Sequence, residues 1–256
     1  MNLDHLSYSS LTSYLYCPRN WRFKYFEKQP TFGTPELAIG SAVHGAIEEY
    51  LSQPERVKQP ADFFKESWGR AIEGQPIVWG AGTPEQHYNE GIRILSNEQV
   101  IYGLSAITPA WPQNEGPKIE EKVELNVPGV PLPVIGYIDI QTADGIPGDF
   151  KTSSKSWSQE RAQNETQSLF YLAALNQAGR TVPDWKFRHY VIVKTKTPQF
   201  QAFEHTHRPD EIFWLFSMIL NIWKGIEAGV FPENPTGWKC SAAFCDFWTK
   251  CRGRRN

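Results

Sequence analysis

Apolar residues along the first hundred positions recur at the three- to four-residue spacing of amphipathic helices. The clearest case is 36–52, where one broad face is apolar and Gly40, His44 and Glu48 lie four residues apart along its flank. The same spacing predicts further helices in this half, over 7–27, 61–73 and 85–105, and Cys17-Pro18 either interrupts the first of these or begins another helix. Stretches rich in Gly and Pro separate them. The first half of the chain is therefore predicted to be helical.

After residue 117 the apolar period changes from that of a helix to two. Ile119, Val123 and Leu125 alternate with polar residues, and Glu121 interrupts the apolar row. Later segments continue in strand-like and helical patterns, at 134–141, 148–152, 159–178, 185–194, 199–205 and 209–229. Helices followed by strands that alternate with helices predict an α/β fold, with a mixed central sheet flanked by helices.

The turn between the second and third predicted strands decides which residues face each other. A two-residue loop at 144–145 would place Ile140 opposite Asp149 and mix the two faces. A three-residue loop, 143–145, places Asp139 opposite Asp149, and it uses Gly145 at the left-handed position that such a loop needs. The three-residue loop is therefore the predicted one.

This register gives one face of the hairpin two carboxylates and an amine. Asp139 and Asp149 oppose each other, and Lys151 follows two residues after Asp149 on the same face. Opposed like charges destabilise a sheet, whereas a hard cation such as Mg²⁺ between them removes the repulsion. The alternative interpretation is a solvated hairpin face, and the two interpretations carry about equal weight because short motifs recur by chance.

Four cysteines form a second candidate site. Cys17 lies near the N-terminus, and Cys240, Cys245 and Cys251 lie close together near the other end. Disulfides are rare in a reducing cytosol, so four thiols indicate a metal site, and they could hold an iron–sulfur cluster or zinc. The alternative is four unrelated buried cysteines, since free Cys is often found in a core.

Composition excludes several classes of protein. A hydrophobic share of 40% and an aromatic share of 14% are too high for a disordered chain. The formal net charge of -2 argues against non-specific coating of nucleic acid, although basic residues cluster beside the cysteines, at Arg19, Arg22, Lys24, Lys28, Lys250, Arg252, Arg254 and Arg255. Neither an apolar run of about 20 residues nor a signal peptide is apparent, so a cytoplasmic protein without a membrane segment is expected.

Several motifs together resemble one nuclease family. Gly136-x-x-Asp139 followed by Asp149-x-Lys151 resembles the core of the PD-(D/E)xK nuclease superfamily. His44 is similar to the upstream histidine of its RecB-type branch, and Gln167-x-x-x-Tyr171 matches a motif of that branch. Each motif alone has a simpler explanation, since His44 could be a surface histidine and Gln167 and Tyr171 a packing pair on one helix face.

The resemblance implies a restriction-endonuclease-like core and a set of site residues. It implies a single nuclease domain over 1–256, a helical insertion at 52–117 and an iron–sulfur subdomain formed by 1–30 and 230–256. The implied ligands of Mg²⁺ or Mn²⁺ are His44, Asp139, Asp149 and the backbone carbonyl of Phe150. The implied catalytic set adds Lys151, which assists attack by water, with Glu121, Gln167 and Tyr171.

The cysteine pattern resembles the iron–sulfur members of the same branch, such as exonucleases of CRISPR adaptation and helicase–nuclease subunits. There a 4Fe–4S cluster ties the two ends of the domain together. This resemblance implies that Cys17, Cys240, Cys245 and Cys251 are its ligands. It also suggests partners among recombination, repair or CRISPR-adaptation proteins, in the cytoplasm of a bacterial, archaeal or phage-infected cell.

The leading hypothesis is a metal-dependent DNA exonuclease that prefers single-stranded or frayed ends. Its predicted nucleic-acid contacts are Arg19, Arg22, Lys24 and Tyr171. Aromatic residues interleaved with positive charge at 21–25 suit unstacked bases, unless they pack in the core instead. The alternatives are a non-catalytic iron–sulfur or zinc protein that binds nucleic acid, and a nuclease held together by zinc.

Overall fold

The structure, a computed structural model, describes residues 3–74 and 76–253. The outermost residues of the predicted ranges 1–256, 1–30 and 230–256, and the basic residues Arg254 and Arg255, lie outside the described residues. The chain divides into two compact units. The first unit comprises Met1–Phe32, Val123–Gly136 and Asp210–Asn256, and the second comprises Gly33–Lys122 and Tyr137–Pro209.

The helices and strands of the described residues follow one another in the order that the sequence predicts, with two short additions. They are β1 (Leu6–Ser7), α1 (Tyr8–Tyr16), α2 (Pro18–Trp21), α3 (Pro35–Leu51), α4 (Phe64–Ile72), α5 (Pro84–Leu95), α6 (Glu98–Ser105), β2 (Ile119–Leu125), β3 (Val134–Gln141), β4 (Pro147–Ser153), α7 (Gln159–Gln163), α8 (Thr166–Gln177), β5 (Lys186–Val193), β6 (Gln199–Thr206), α9 (Glu211–Glu227) and α10 (Trp248–Arg252). None of the helices in 3–74 and 76–253 is both long and apolar enough to cross a bilayer.

Three predicted helices are divided. The helix predicted over 7–27 is interrupted at Cys17, before Pro18, into α1 and α2. Two others are each divided in two. The helix predicted over 85–105 breaks at Asn97, whose side chain accepts hydrogen bonds from the backbone N–H groups of Gln99 and Val100 and so begins α6. The helix predicted over 159–178 divides into α7 and α8 at Asn164 and Glu165. Apolar periodicity continues across both breaks, so only the capping residues mark them.

The predicted mixed sheet is confirmed. In the second unit β3 pairs antiparallel with β4, β4 pairs parallel with β5, and β5 pairs antiparallel with β6. β2 also pairs with β3. In the first unit the two residues of β1 pair in parallel with the first residues of β3, Leu6 with Val134. The sequence does not predict β1, because two residues show no period.

Helices cover the two faces of β4 in the second unit. Phe150 belongs to the large apolar core that α3, α4, α5 and α6 form against the sheet. Its neighbours Asp149 and Lys151 point to the other face, where Lys151 contacts α8. One strand therefore supplies both a core residue and polar residues for a site.

The first unit has an aromatic core of its own. Trp21 is fully buried and stacks on Phe231, with 5.8 Å between the ring centroids. Phe23 is 6% exposed and packs on Phe247. The expectation that the aromatics at 21–25 contact unstacked bases is therefore wrong for Trp21 and Phe23, because the partners they pack on come from distant parts of the chain.

Candidate active site

The loop between β3 and β4 has the predicted three residues. The N–H of Thr142 donates to the carbonyl of Ile146, and Gly145 has a φ of 83°. Ile140 pairs with Gly148, so the next pair along the ladder sets Asp139 opposite Asp149. The predicted register is confirmed, and it rests on a glycine that tolerates the left-handed conformation.

The two carboxylates occupy a buried, crowded position. Asp139 Oδ2 accepts a hydrogen bond of 2.6 Å from the backbone N–H of Phe150. Asp149 is 2% exposed, and its Oδ2 lies 2.5 Å from Nζ of Lys151. Burial, and secondarily the charge of Asp149, raise the pKa of Asp139. Both causes disfavour a second negative charge here, and a bound cation relieves such a pair.

A chain of hydrogen bonds holds Lys151 in place. Its Nζ donates to Oε1 of Gln167 at 2.8 Å, and Nε2 of Gln167 donates to the hydroxyl of Tyr171 at 2.8 Å. The Tyr171 hydroxyl in turn donates to the backbone carbonyl of Tyr137 in β3. Burial is the largest single effect and lowers the pKa of Lys151, but the charge and hydrogen bonding of Asp149 and the charges of Asp139 and Glu165 together outweigh it, and the pKa is raised. Lys151 is therefore an ammonium of fixed position.

Tyr171 belongs to this hydrogen-bond chain and is itself a buried residue. It is 3% exposed, and its ring stacks on Phe187. Its predicted contact with nucleic acid is therefore wrong in this structure, because the side chain has almost no surface. Gln167 and Tyr171 form one hydrogen-bonded pair, as their four-residue spacing on a helix allows.

The predicted histidine reaches the same place from α3. Nδ1 of His44 lies 3.7 Å from Oδ2 of Asp139, and its ring meets Phe150 edge-on. One turn earlier, a Cβ at Gly40 would lie 3.3 Å from the hydroxyl of Thr152, so the glycine lets α3 approach β4 closely. Burial lowers the pKa of His44, against the opposing effect of Asp149. A neutral imidazole of this kind is a metal ligand.

The structure distinguishes between two adjacent glutamates at the start of β2. Glu121, the predicted acid, pairs with Arg180 at 2.8 Å and with Lys118 at 3.6 Å. Glu120 instead lines the cleft that His44 lines, and the charge of Asp149 contributes, after burial and Glu48, to a raised pKa of Glu120. Of the two acids, Glu120 is therefore the one at the cleft, and the catalytic role predicted for Glu121 stays a prediction.

The reason for this difference is local. Glu120 has a φ of 50°, which interrupts the extended backbone at the second residue of β2. Burial nevertheless alternates along β2, with Glu121 half-buried in the row of Val123 and Leu125 and Glu120 exposed on the opposite side. The signal in the sequence was the break that Glu121 makes in the apolar row, but the pattern alone could not say which acid faces the site.

An open cleft of about 1040 Å³ leads to this group, and we name it the α3 cleft. Its lining includes a row from one side of α3, namely Gly40, His44 and Glu48, the three residues spaced four apart in the sequence. Lys194 lines it together with the end of β4. The flank of α3 that the sequence marks therefore faces this cleft.

The donor set fits a divalent cation. Within residues 3–74 and 76–253, no three His, Cys, Asp or Glu side chains already stand in a metal-binding arrangement. The groups that meet are one imidazole, from His44, and the carboxylates of Asp139 and Asp149, beside the backbone of Phe150. Carboxylate and carbonyl oxygens suit Mg²⁺ or Mn²⁺, and Asp149 Oδ2 is buried without a well-directed hydrogen-bond donor.

Comparison with known proteins identifies the family of this chain. A family model described as the PD-(D/E)XK nuclease superfamily matches residues 5–252. The chain belongs to the PD-(D/E)XK nuclease superfamily. It is therefore a nuclease that acts on nucleic acid, and its family uses divalent metal ions. A search of curated protein sequences finds no match.

One solved structure supports the fold of this PD-(D/E)XK nuclease. A protein from Eubacterium rectale assigned as an exonuclease aligns with a TM-score of 0.63 at 13% identity, over 99% of this chain and 89% of that one. At this identity the likeness shows the fold alone. The structure of SSO0001 aligns over 97% of this chain and 96% of that one at 13% identity, with a TM-score of 0.39.

The four cysteines of this nuclease lie in the first unit as free, partly buried thiols. Burial and, secondarily, the charge of Glu233 raise the pKa of Cys251. Arg252 donates to Sγ of Cys240 at 3.6 Å. Asn20 donates to Sγ of Cys245 at 3.7 Å. Thiolates with hydrogen-bond donors directed at them are suitable ligands for an iron–sulfur cluster.

The basic residues predicted to contact nucleic acid are largely engaged. Arg19 pairs with Glu233 at 2.9 Å, and Arg22 pairs with Glu27 at 3.0 Å. Lys24 is exposed and lies over the ring of Tyr25. Of these three cations, Lys24 has the surface that a phosphate contact needs, and the role of all three in binding stays a prediction.

Proposed function

We propose that this nuclease is a Mg²⁺- or Mn²⁺-dependent deoxyribonuclease that degrades DNA from an end. The observation that carries the proposal is the meeting of His44, Asp139 and Asp149 beside an ammonium, Lys151, whose position the protein fixes. A divalent ion bound there would supply Lewis-acid stabilisation of charge on the phosphodiester.

The residues of the chain supply the rest. Lys151 lies where it can orient the attacking water or stabilise negative charge that develops on a phosphate oxygen. Gln167 and Tyr171 are positioning residues, because they reach the reaction only through Lys151. His44 and the two aspartates hold the ion, and Glu120 adds a carboxylate at the edge of the α3 cleft.

We further propose a preference for single-stranded or frayed ends and a structural 4Fe–4S cluster on the four cysteines. The exonuclease resemblance of the motifs supports the first point. The close sequence spacing of Cys240, Cys245 and Cys251, and the place of all four cysteines in the first unit, support the second. A cluster there would close a chain segment of more than two hundred residues, which separates Cys17 from Cys240.

Cleavage of end-labelled DNA tests the chemistry. We expect anaerobically purified protein to degrade linear single strands in Mg²⁺ or Mn²⁺ and not after chelation. Asp149→Ala and Lys151→Ala should each abolish cleavage, because one removes a ligand and the other a stabilising charge. Asp144→Asn is the matched control, since Asp144 lies in the same hairpin but pairs with Arg188 at 2.6 Å.

A closed single-stranded circle of the same sequence tests the need for an end. Degradation of the linear strand but not of the circle is the expected result. Equal degradation of both would show an endonuclease, and preference for blunt duplex would remove the single-strand preference. Full cleavage by both active-site variants would overturn the catalytic assignment.

A further inference from the structure

Two aromatic side chains stand exposed on the loop that carries the first two cysteines of the triplet. Trp238 is 68% exposed and Phe244 is 65% exposed, and their rings meet edge-to-face with centroids 5.5 Å apart. Nζ of Lys239 lies 5.2 Å from the centroid of Trp238. We name Trp238, Phe244 and Lys239 the Trp238 platform.

The loop under this platform is held by hydrogen bonds of its own unit. The backbone N–H of Lys239 donates to the hydroxyl of Tyr16 at 2.7 Å, and the side chain of Asn234 donates to the carbonyl of Tyr16 at 2.7 Å. The N–H of Cys240 donates to the carbonyl of Gly237 at 2.8 Å. The platform is therefore presented by a fixed loop, which lowers the entropy lost on binding.

Its position differs from that of the aromatics that fill the core of the first unit. Trp21, Phe23 and Phe247 fill the core, where each has an aromatic partner on a ring face or edge. Trp238 and Phe244 contact each other and still leave about two thirds of their surface to solvent. Exposed rings of this size beside a cation match the surfaces on which proteins stack nucleobases.

The surrounding charge favours a polyanion. Among the described residues after Val230, three are basic, Lys239, Lys250 and Arg252, and two are acidic; Lys250 pairs with Glu27 at 2.8 Å. One of the acids, Glu233, is paired with Arg19, and the other, Asp246, is exposed on the same loop. The balance is positive, although the formal net charge of the whole chain is -2. A local positive excess beside aromatic rings suits a strand with charged phosphates and accessible bases.

We propose that the Trp238 platform binds single-stranded nucleic acid, with a base stacked on Trp238 and Phe244 and a backbone phosphate at Lys239. The proposal rests on the proposed function, because it adds a binding site for the same nucleic-acid strand that the active site cleaves. A duplex cannot use the platform in this way, since its bases are already stacked on one another. The platform therefore discriminates single strands from duplex.

Binding measured without divalent metal tests this proposal independently of cleavage. A fluorescent oligothymidylate of about 16 nucleotides is titrated with chelator present, so that no hydrolysis occurs. Trp238→Ala is expected to weaken binding about five- to one-hundred-fold, as loss of base stacking does. Lys239→Gln should weaken it less and reduce its salt dependence, because it removes one phosphate contact.

Two further variants serve as controls for the effect of Trp238→Ala on binding. Trp238→Phe keeps an aromatic face and should restore most of the affinity. Phe213→Ala is the matched control, because Phe213 is an exposed aromatic of the same unit, on α9, and it should bind as the unchanged protein does. A 2-aminopurine base in the strand should lose fluorescence on binding in the unchanged protein but not in Trp238→Ala, which reports stacking directly.

The outcomes separate this proposal from the proposed function. If Trp238→Ala binds single strands as tightly as Phe213→Ala does, the platform does not bind nucleic acid, and a protein partner becomes its candidate occupant. That result leaves the active-site assignment intact, because cleavage by Lys151 and the aspartates is measured separately. Conversely, loss of binding in Trp238→Ala upholds the platform even if no variant of the protein cleaves.

Discussion

Lys151 is the side chain on which the other active-site residues converge. An ammonium has three N–H donors, and in this protein Gln167 accepts from one of them while Asp149 forms an ion pair with Nζ at 2.5 Å. A remaining donor can reach a water or a phosphate oxygen. Burying an ammonium is costly unless its partners are well placed, so Gln167 and Asp149 stabilise the charged form and also fix its direction.

The sequence predicted the positions of some active-site residues but not the contacts of others. Asp139, Asp149 and Lys151 could be placed on one face because strand alternation and the turn fix each of them. The chain from Lys151 through Gln167 to Tyr137 could not be predicted, since it depends on where α8 packs. The spacing of Tyr171 from Gln167 could be read from the sequence, but the burial of the Tyr171 side chain could not.

The two glutamates of β2 give a paired prediction. Glu120→Gln should raise the metal concentration needed for half-maximal cleavage, because it removes a carboxylate from the cleft that His44 lines. Glu121→Gln should leave that concentration unchanged and lower the melting temperature by about 1–3 °C, since partly exposed ion pairs contribute roughly 0.2–1 kcal/mol. Metal titrations of the cleavage rate and thermal melts measure the two effects. The reverse assignment of the effects would make Glu121 the active-site acid.

Among the elements, the β3–β4 hairpin was predictable in full and the edges of the helices were not. Its loop needs a residue that tolerates a positive φ, and Gly145 supplies one at the only position that keeps both faces consistent. By contrast, the apolar period continues unchanged from α5 into α6. The break between them depends on one capping side chain, that of Asn97. Local turn chemistry is therefore a stronger signal than periodicity.

The ribbon formed by β5 and β6 contains a buried pair of histidines that sequence patterns did not single out. His189 and His205 share a hydrogen bond of 3.0 Å between Nδ1 and Nε2, and their rings stack. Burial lowers the pKa of His189 to about 4 and that of His205 to about 3. Both are neutral in the folded protein near neutral pH. Folding therefore requires no loss of protons from the two histidines only at a pH where they are also neutral in the unfolded chain.

This pair predicts a loss of stability in mild acid. A histidine whose pKa is lowered by folding contributes its full stability above its unfolded pKa, near 6.5, and that stability is lost as the pH falls from there toward its folded pKa. Between pH 7 and pH 5 the unchanged protein should therefore lose about 2 kcal/mol more unfolding free energy than His205→Phe, which cannot titrate. Urea unfolding at the two pH values measures the difference.

The comparison is made within each variant, so a general destabilisation by the larger ring cancels. His5→Asn, a change at an exposed histidine, is the control and should follow the unchanged protein. An equal loss in His205→Phe and in the unchanged protein would show that His205 does not carry the acid sensitivity.

On the scale of the whole molecule, the first unit gathers segments from both ends and the middle of the chain. Its aromatic core joins Trp21 near the start to Phe231 near the end, and the four cysteines lie in the same unit. Cysteine spacing could suggest such a closure from the sequence, because Cys17 has no other cysteine near it. Which aromatics would be buried in closing it could not be predicted, since each packs on a partner more than two hundred residues away.

The closure gives the last prediction. Cys17→Ala should lower the iron and acid-labile sulfide content and the stability as severely as Cys245→Ala, because a cluster that loses either ligand no longer joins the two ends of the chain. Ser241→Ala is the matched control, a small polar residue beside Cys240 whose hydroxyl is buried without a hydrogen-bond partner among the described residues. Metal analysis and thermal melts of anaerobically purified protein measure both effects. Full iron content in Cys17→Ala would remove Cys17 from the ligand set, whereas zinc in place of iron in the unchanged protein would keep the four ligands and change the metal they hold.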